Sequence, residues 1–321
     1  MYHFVVNPAS KSNHGLQIWN ELEKYLSQKE IEYTVCFSKQ CGNITQLVKD
    51  ICTTCDENPL KVVVLGGDGT LDEALQGITD YNKVTLGYIP TGSSNDFARA
   101  LKYPGTPIAC LERILACKKP VMVDLGKLEY LETDTERSKY NTSKLDTIRY
   151  FDVSCGYGFD AAICEEALNP TGIKGFFNKI GLGRLTYVGI AFAEVYRGIR
   201  PNGTLITEEG LKIELKKLRF VAAMNTLFEG GGFMFAPDAT YDDGFLDICL
   251  VENISSPKLL LHIPAAYKGK HINDKEIRTY RTKGFEIRTD KPMWVHTDGE
   301  VLTKASSIKV SIVPGLLQLL L

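Results

Sequence analysis

Three short stretches of this chain set carboxylates among glycines: Gly66-Gly67-Asp68-Gly69-Thr70, the run from Thr240 to Phe245 through Asp243-Gly244, and Asp298-Gly299-Glu300. The first follows a branched apolar run, 62–65, and opens a helix-like pattern. Glycines let backbone N–H groups approach a phosphate closely, and a helix N-terminus adds partial positive charge. A bare carboxylate in that loop would repel the same phosphate. Asp68 therefore makes chemical sense if it binds a divalent cation or accepts a proton from an attacking hydroxyl. Taken alone, the loop is equally well explained by an aspartate capping a helix in a glycine-rich turn. The other two stretches have the composition of ordinary Asp-Gly turns between strands.

The first loop has companions. One strand later, Gly92, Ser93 and Ser94 offer space and hydroxyls, followed by polar Asn95 and Asp96 ahead of another helical pattern. The first strand ends in Asn7-Pro8-Ala9-Ser10-Lys11, and the second ends at Ser38, shortly before Gly42-Asn43. Four successive strand ends thus carry small or polar residues, an edge that a nucleotide could bridge. Other nucleotide signatures are missing: there is no GxxxxGK[ST], and no HRD or DFG set. Gly156, Gly158 and Ala161 fit G-x-G-x-x-A, but no strand ending in an acid follows at the required distance, so a structural glycine turn is expected there. Cys52 and Cys55 have redox or zinc spacing without a second ligand pair, and His3, His14, His262, His271 and His296 form no sequence cluster. All five histidines are read as ordinary surface or core residues.

The elements that must carry these loops fall into two patterns. Strand-like runs at 2–6, 32–37, 61–65, 84–89 and 121–123 alternate with helical patterns near 15–28, 43–54, 70–79, 94–101 and 107–117. That alternation predicts a parallel sheet with helices on both faces and ligands at the carboxyl ends of its strands. A polar stretch, 132–144, reads as an exposed loop or hairpin tip. Beyond it, short alternating runs at 147–154, 203–207, 211–217, 219–224, 245–251, 276–281, 284–288 and 307–313 predict an antiparallel β domain, interrupted by helical patches at 159–168 and 176–197. With 321 residues, 44% of them hydrophobic and 24% charged, the chain has room for two globular domains. A formal net charge of −2 gives no basic field for nucleic acid. Nine scattered cysteines suit reduced thiols in a cytoplasm, residues 2–6 read at once as a strand rather than a signal peptide, and the apolar tail 316–321 is far too short to span a bilayer.

Together these stretches resemble the bacterial diacylglycerol-kinase and lipid-kinase family, related to sphingosine kinases and more distantly to NAD kinases. The resemblance runs nearly end to end, through VVNPAS, GGDGT, PTGSSNDFAR, DLGKL (124–128), SCGYGFDA (154–161), GGGFMFAPDATYDDGFLDICLV (230–251) and VHTDGE (295–300). It implies a Rossmann-like α/β nucleotide-binding domain over 1–127, joined by a returning segment at about 305–321. A C-terminal antiparallel β-sandwich over 128–304 would follow, with the active site between the two. The implied reaction is transfer of the ATP γ-phosphoryl group to a lipid hydroxyl, diacylglycerol giving phosphatidic acid being the leading case. The implied ATP positions are Asn7, Pro8, Ala9, Ser10, Lys11, Ser38, Gly66, Gly67, Asp68, Gly69, Thr70, Leu71, Asp72, Ser93 and Asn95. Ser38 and Ser93 stand where the family often has threonine, Asp72 where it often has asparagine, and Lys11 where it often has glycine.

The same resemblance implies a structural Mg²⁺ held by the Asp243 carboxylate and the Thr240 and Phe245 carbonyls, hard oxygen donors completed by water. Glu300 is the implied proton acceptor, with Asp68 organising catalytic Mg²⁺ and Asp298 in support; the sphingosine-kinase branch instead points to the aspartate matching Asp68. A cytoplasmic protein in peripheral contact with its membrane lipid is expected, and a homodimer is left open. The aromatic and basic segment 174–200 reads equally as a lipid-lining helix and as core packing. Other lipid alcohols (ceramide or sphingoid, phosphatidylglycerol, monoacylglycerol) stay open as substrates. An NAD kinase and a catalytically silent nucleotide sensor stand further off.

Overall fold

The computed structural model describes residues 1–40, 42–139, 141, 145–168, 194–195 and 197–321. They form two units: residues 1–125 with 241–243 and 313–321, and residues 126–240 with 244–312.

In the first unit, β1 (Tyr2–Val6), β2 (Tyr33–Phe37), β3 (Leu60–Gly66) and β4 (Val84–Pro90) pair in parallel in the order β2-β1-β3-β4. Val62 to Leu65 are all fully buried, as expected for a strand covered on both faces. A short α1 (Ser10–Asn13) precedes α2 (Gly15–Gln28), which turns Ile18, Trp19, Leu22 and Leu26 inward at helical spacing and sets the Trp19 ring 5.1 Å from that of Phe4. α3 (Asn43–Thr54) starts behind Gly42 at φ 79°, where the Glu73 carboxylate accepts from the N–H groups of Gly42 (2.8 Å) and Ile44 (3.1 Å). Glu73 belongs to α4 (Asp68–Gly77), which begins at Asp68 rather than at residue 70. α5 (Asp96–Ala100) and α6 (Pro107–Ala116) complete the unit's helices among the described residues. Cys52 and Cys55 are free thiols at the end of α3.

The fifth expected parallel strand lies elsewhere. β5 (Val121–Arg137) pairs with β14 (Glu300–Leu320) and with β6 (Ile148–Phe151), and the strand beside β4 is the end of the chain, Gln318–Leu320. The polar stretch 132–144 is likewise not a hairpin tip in its first half, because β5 continues through it to Arg137. Its threonines and charges suit a strand with one solvated face. The Ser138 N–H donates to the Leu302 carbonyl at 2.8 Å, and the Thr303 hydroxyl to the Glu136 carbonyl at 3.0 Å.

The second unit is antiparallel. The expected run 147–154 divides into β6 and β7 (Ser154–Gly158). β8 (Gly203–Thr207), β9 (Lys212–Leu215), β10 (Leu218–Met224), β11 (Leu246–Glu252), β12 (Ile277–Thr282) and β13 (Gly284–Thr297) follow, paired as β12-β11-β10-β7-β13-β14, with β8 joined to β13 and β9 to β8. Tyr157, Val221, Leu250, Ile287, Val295 and Ile308 lie in its core. β14 pairs with β13 up to Ser311, and its last residues pair with β4, so strand pairing is one continuous mixed ladder rather than two separate sheets.

α7 (Phe159–Leu168) matches the first expected helical patch, while the second, 176–197, lies outside the described residues apart from Glu194, Val195 and Arg197. α8 (Ser256–Ala266) was not foreseen. No described helix is long and apolar enough to cross a membrane.

Candidate functional site

In the first unit, Asn7 to Lys11, Ser38, Gly66 to Asp72, and Ser93 with Asn95 all follow the carboxyl ends of β1, β2, β3 and β4. Hydrogen bonds tie the loops together. Asn7 Nδ2 donates to Thr70 Oγ1 at 2.9 Å, its Oδ1 accepts from the Ala9 N–H at 3.1 Å, and the Thr91 hydroxyl donates to Ser10 Oγ at 2.8 Å. The Thr91 N–H reaches the Gly66 carbonyl at 2.7 Å, and the Ser38 N–H reaches the Val6 carbonyl at 2.9 Å. Asn95, at φ 51°, closes its own loop by accepting from the Gly92 N–H at 2.8 Å and donating to the Gly92 carbonyl at 3.0 Å.

The glycines here have a definite steric cause. A Cβ on Gly92 would lie 2.6 Å from the Gly67 Cα, and one on Gly67 would lie 2.9 Å from the Gly92 Cα. The loops after β3 and β4 thus meet backbone to backbone, with no side chain between them. Gly67, not Asp68, is the N-cap of α4, so the N-cap residue contributes no side chain. Asp68 is its first residue, so the capping explanation of this aspartate does not apply. A helix N-terminus edged by side-chain-free backbone fits a phosphate, and the carboxylate beside it is a hard donor suited to Mg²⁺. Leu71 and Asp72 point elsewhere: both are buried, and Asp72 accepts from Gln76 Nε2 at 3.2 Å. Lys11 and Ser93 are exposed.

In the second unit, the turn between β13 and β14 carries Asp298 and Glu300, and their carboxylates do different things. Asp298, at φ 50°, accepts from the Val153 N–H (2.9 Å) and Ser154 N–H (2.8 Å) through Oδ1, and from the Asp152 N–H (2.9 Å) through Oδ2. It anchors the turn to the chain entering β7. Glu300 instead receives the Asn141 side-chain amide on Oε2 at 2.8 Å. Asn141 is itself reached through α7: Glu165 accepts from the Ser138 hydroxyl at 2.6 Å, and Ser138 Oγ accepts from the Asn141 N–H at 3.0 Å.

Beneath this turn lies a cluster that sequence reasoning missed. Asp160, Glu229 and His296 are all buried and bring potential ligand atoms within 4.8 Å of one another. His296 Nε2 is 3.2 Å from Glu229 Oε1 and 3.5 Å from Asp160 Oδ2. The reading of His296 as an ordinary residue is therefore wrong. So is the reading of 156–158 as a glycine turn: these residues are strand, and a Cβ on Gly156 would lie 2.2 Å from both Asp160 Oδ2 and His296 Nε2. The available signal was the position of His296 two residues before Asp298, but its partners are remote in sequence. On its other edge, His296 Nδ1 accepts from the Gly299 N–H at 3.2 Å, which places the ring proton on Nε2, facing the carboxylates. Burial, above all, raises the Asp160 pKa. A cation on Nε2 would require a proton on Nδ1, where the Gly299 N–H already points, so the cluster suits a held proton better than a metal ion.

The third glycine–carboxylate stretch precedes β11. Its Tyr241 carbonyl accepts from the Asp124 N–H at 2.7 Å, Gly244 sits at φ 75°, and the Phe245 ring lies 4.7 Å from the Arg281 guanidinium.

Comparison with known proteins matches residues 1–128 to the diacylglycerol kinase catalytic domain and residues 156–321 to the YegS C-terminal NAD kinase beta sandwich-like domain. The chain belongs to the bacterial diacylglycerol-kinase and YegS-like lipid-kinase family. It is 26% identical over 301 residues to the provisionally named lipid kinase YtlR of Bacillus subtilis, covering 93% of each chain. A Mycobacterium tuberculosis diacylglycerol kinase is 28% identical over 81% of this chain and 76% of its own. Among solved structures, a provisionally named diacylglycerol kinase of Bacillus anthracis superposes with a TM-score of 0.73 at 20% identity, covering 99% of this chain and 96% of that one. At that identity the likeness speaks for the fold, an α/β domain with a C-terminal β-sandwich-like domain.

Proposed function

We propose that this protein is an ATP- and Mg²⁺-dependent lipid kinase whose leading substrate is diacylglycerol. The observation that carries the reading is the contact of the Gly67 and Gly92 backbones ahead of α4, in a chain of lipid-kinase family. In this reading, the N-terminal turn of α4 and the loop after β4 bind the ATP phosphates. Asp68 contributes a carboxylate at the same helix end. Mg²⁺, when bound, would neutralise charge on the transferring phosphoryl group, and Asp68 would be its ligand. Glu300 accepts the proton of the lipid hydroxyl, with Asn141 donating to its Oε2. Asp298 supports by holding the turn.

Thr240, Asp243 and Phe245 form the proposed structural Mg²⁺ site. A ligand bound only by the folded state stabilises it, so chelator should lower the parent's melting temperature and barely move that of Asp243→Ala. Equal chelator sensitivity would count against a metal there.

The deciding assay is phosphate transfer from radiolabelled ATP over diacylglycerol, monoacylglycerol, phosphatidylglycerol, ceramide, an undecaprenol-like alcohol and NAD. Label on diacylglycerol is expected. Label on NAD alone would move the protein to the NAD kinases, which share the GGDGT stretch and lend their name to the C-terminal domain. ATP binding without transfer to any acceptor would favour a silent sensor.

A further inference from the structure

Helix α8 is tied down on one side and apolar on the other. The buried Arg219 guanidinium donates to the Ser256 hydroxyl at 3.0 Å and to the Ile254 carbonyl at 3.1 Å, pinning the first turn, while Leu259 and Ala266 face inward. The outward stripe is Pro257, Leu261 and Pro264, at positions i, i+4 and i+7, and Leu261 is 77% exposed. Tyr267, 49% exposed, follows directly and stands edge-on to Phe233 at 5.5 Å. A surface helix in water normally sets polar residues on this face.

Charge says what covers it. From Asn253 to Asn273 the chain has no acidic residue, while Lys258, Lys268 and Lys270 fall within that span. Lys258 is engaged by Asp274 and Glu276 at 3.3 and 2.9 Å, and Lys268 and Lys270 are exposed beside Tyr267. A leucine and a tyrosine followed by two exposed lysines, with the nearby acids Asp274 and Glu276 paired to Lys258, match the boundary between acyl chains and anionic headgroups.

We propose that the outward face of α8, with Tyr267, Phe233, Lys268 and Lys270, seats on an anionic lipid bilayer. The purpose of such a face rests on the lipid-substrate reading; its exposure and charge do not. The seat also has a route to the turn of Glu300. Met234 N–H donates to the Ala266 carbonyl at 3.0 Å, and Phe233 and Glu229 exchange two backbone hydrogen bonds at 2.9 and 2.8 Å. Glu229 in turn meets His296, which accepts from Gly299.

The test is flotation of the full chain with vesicles of phosphatidylcholine alone and of phosphatidylcholine with phosphatidylglycerol, without ATP, so that turnover plays no part. The parent should float with the anionic vesicles. Leu261→Asp with Tyr267→Ser should weaken that association by about tenfold or more, and Lys268→Glu with Lys270→Glu by a similar order at low salt and less at high salt. Ile206→Asp, at a site 45% exposed on β8, is the control and should float like the parent. Unchanged flotation of the Leu261/Tyr267 variant overturns the proposal, as does a parent that floats with neither vesicle. A parent dimer split by Leu261→Asp, with flotation intact, would assign the face to a second copy and overturn it too. Flotation lost in the variant supports the seat even if no lipid is phosphorylated in the substrate panel, a result that would count against the kinase reading instead.

Discussion

The loop of Asp68 and the turn of Glu300 share a composition, glycine beside carboxylate, and are built for opposite purposes. Around Gly67 and Gly92 the chain has removed side chains so that two backbones touch at a helix end. Around Gly299 it has added partners: three backbone N–H groups on Asp298, an amide on Glu300, and a buried imidazole under the Gly299 N–H. The first region gains its proposed role from what is absent, the second from how its two acids are held by different partners. A glycine–acid motif therefore reports a turn and leaves open which partners its acids take.

The comparison is most exposed to failure at Glu300. Glu300→Gln keeps shape and should keep ATP binding, yet turnover should fall by about 10²–10⁴-fold, the usual worth of a general base. Asp68→Asn should instead weaken MgATP binding and shift the Mg²⁺ dependence. Turnover and Mg²⁺ titrations on the same lipid separate them. Near-parent turnover in Glu300→Gln, together with an inactive Asp68→Asn that binds MgATP normally, would reverse the two roles.

The next largest effect is expected at Asp298. Asparagine leaves one acceptor oxygen for three N–H groups, so Asp298→Asn should cost on the order of 3 kcal/mol of stability, read as a lower urea midpoint. Parent-like stability with lost activity would move Asp298 from anchor to direct participant. In the first region, Gly92→Ala sets a Cβ against the Gly67 backbone, an overpacking that costs about 1–3 kcal/mol. Its KM for ATP should rise while lipid KM holds, and calorimetry that finds parent-like ATP binding would break the phosphate-cradle reading.

The smallest effect is a pH dependence. Burial raises the Asp160 pKa above 3.8, so between that value and the folded one the folded protein keeps a proton that the unfolded chain has released. Stability contributed by this group is present at the acidic end of that window and is lost as pH rises through it. Asp160→Asn keeps the shape beside His296 and Glu229 but cannot titrate, so its urea midpoint should change less than the parent's between about pH 4 and about pH 8. Parallel curves would show that the cluster does not hold its proton on Asp160.

Much of the first unit was legible because its signals are local. Runs such as 62–65 are buried on both faces wherever they pair, and α2 and α3 follow from spacing alone. The glycine–acid stretches, too, were visible as turns of chemical interest. What the sequence could not disclose depends on partners far along the chain. Residues 132–137 look like a loop until β14 supplies their ladder, and 121–123 look like a fifth parallel strand although Gln318–Leu320 occupies that position beside β4. His296 looks ordinary until folding brings Asp160 and Glu229 to it. Asp298 and Glu300 are equivalent acids in the sequence, and they take different partners only when residues 152–154 and Asn141 arrive. Periodicity and turn chemistry act over a few residues and are written in the sequence; desolvation and hydrogen-bond partners are created only by the tertiary structure that packs distant segments together.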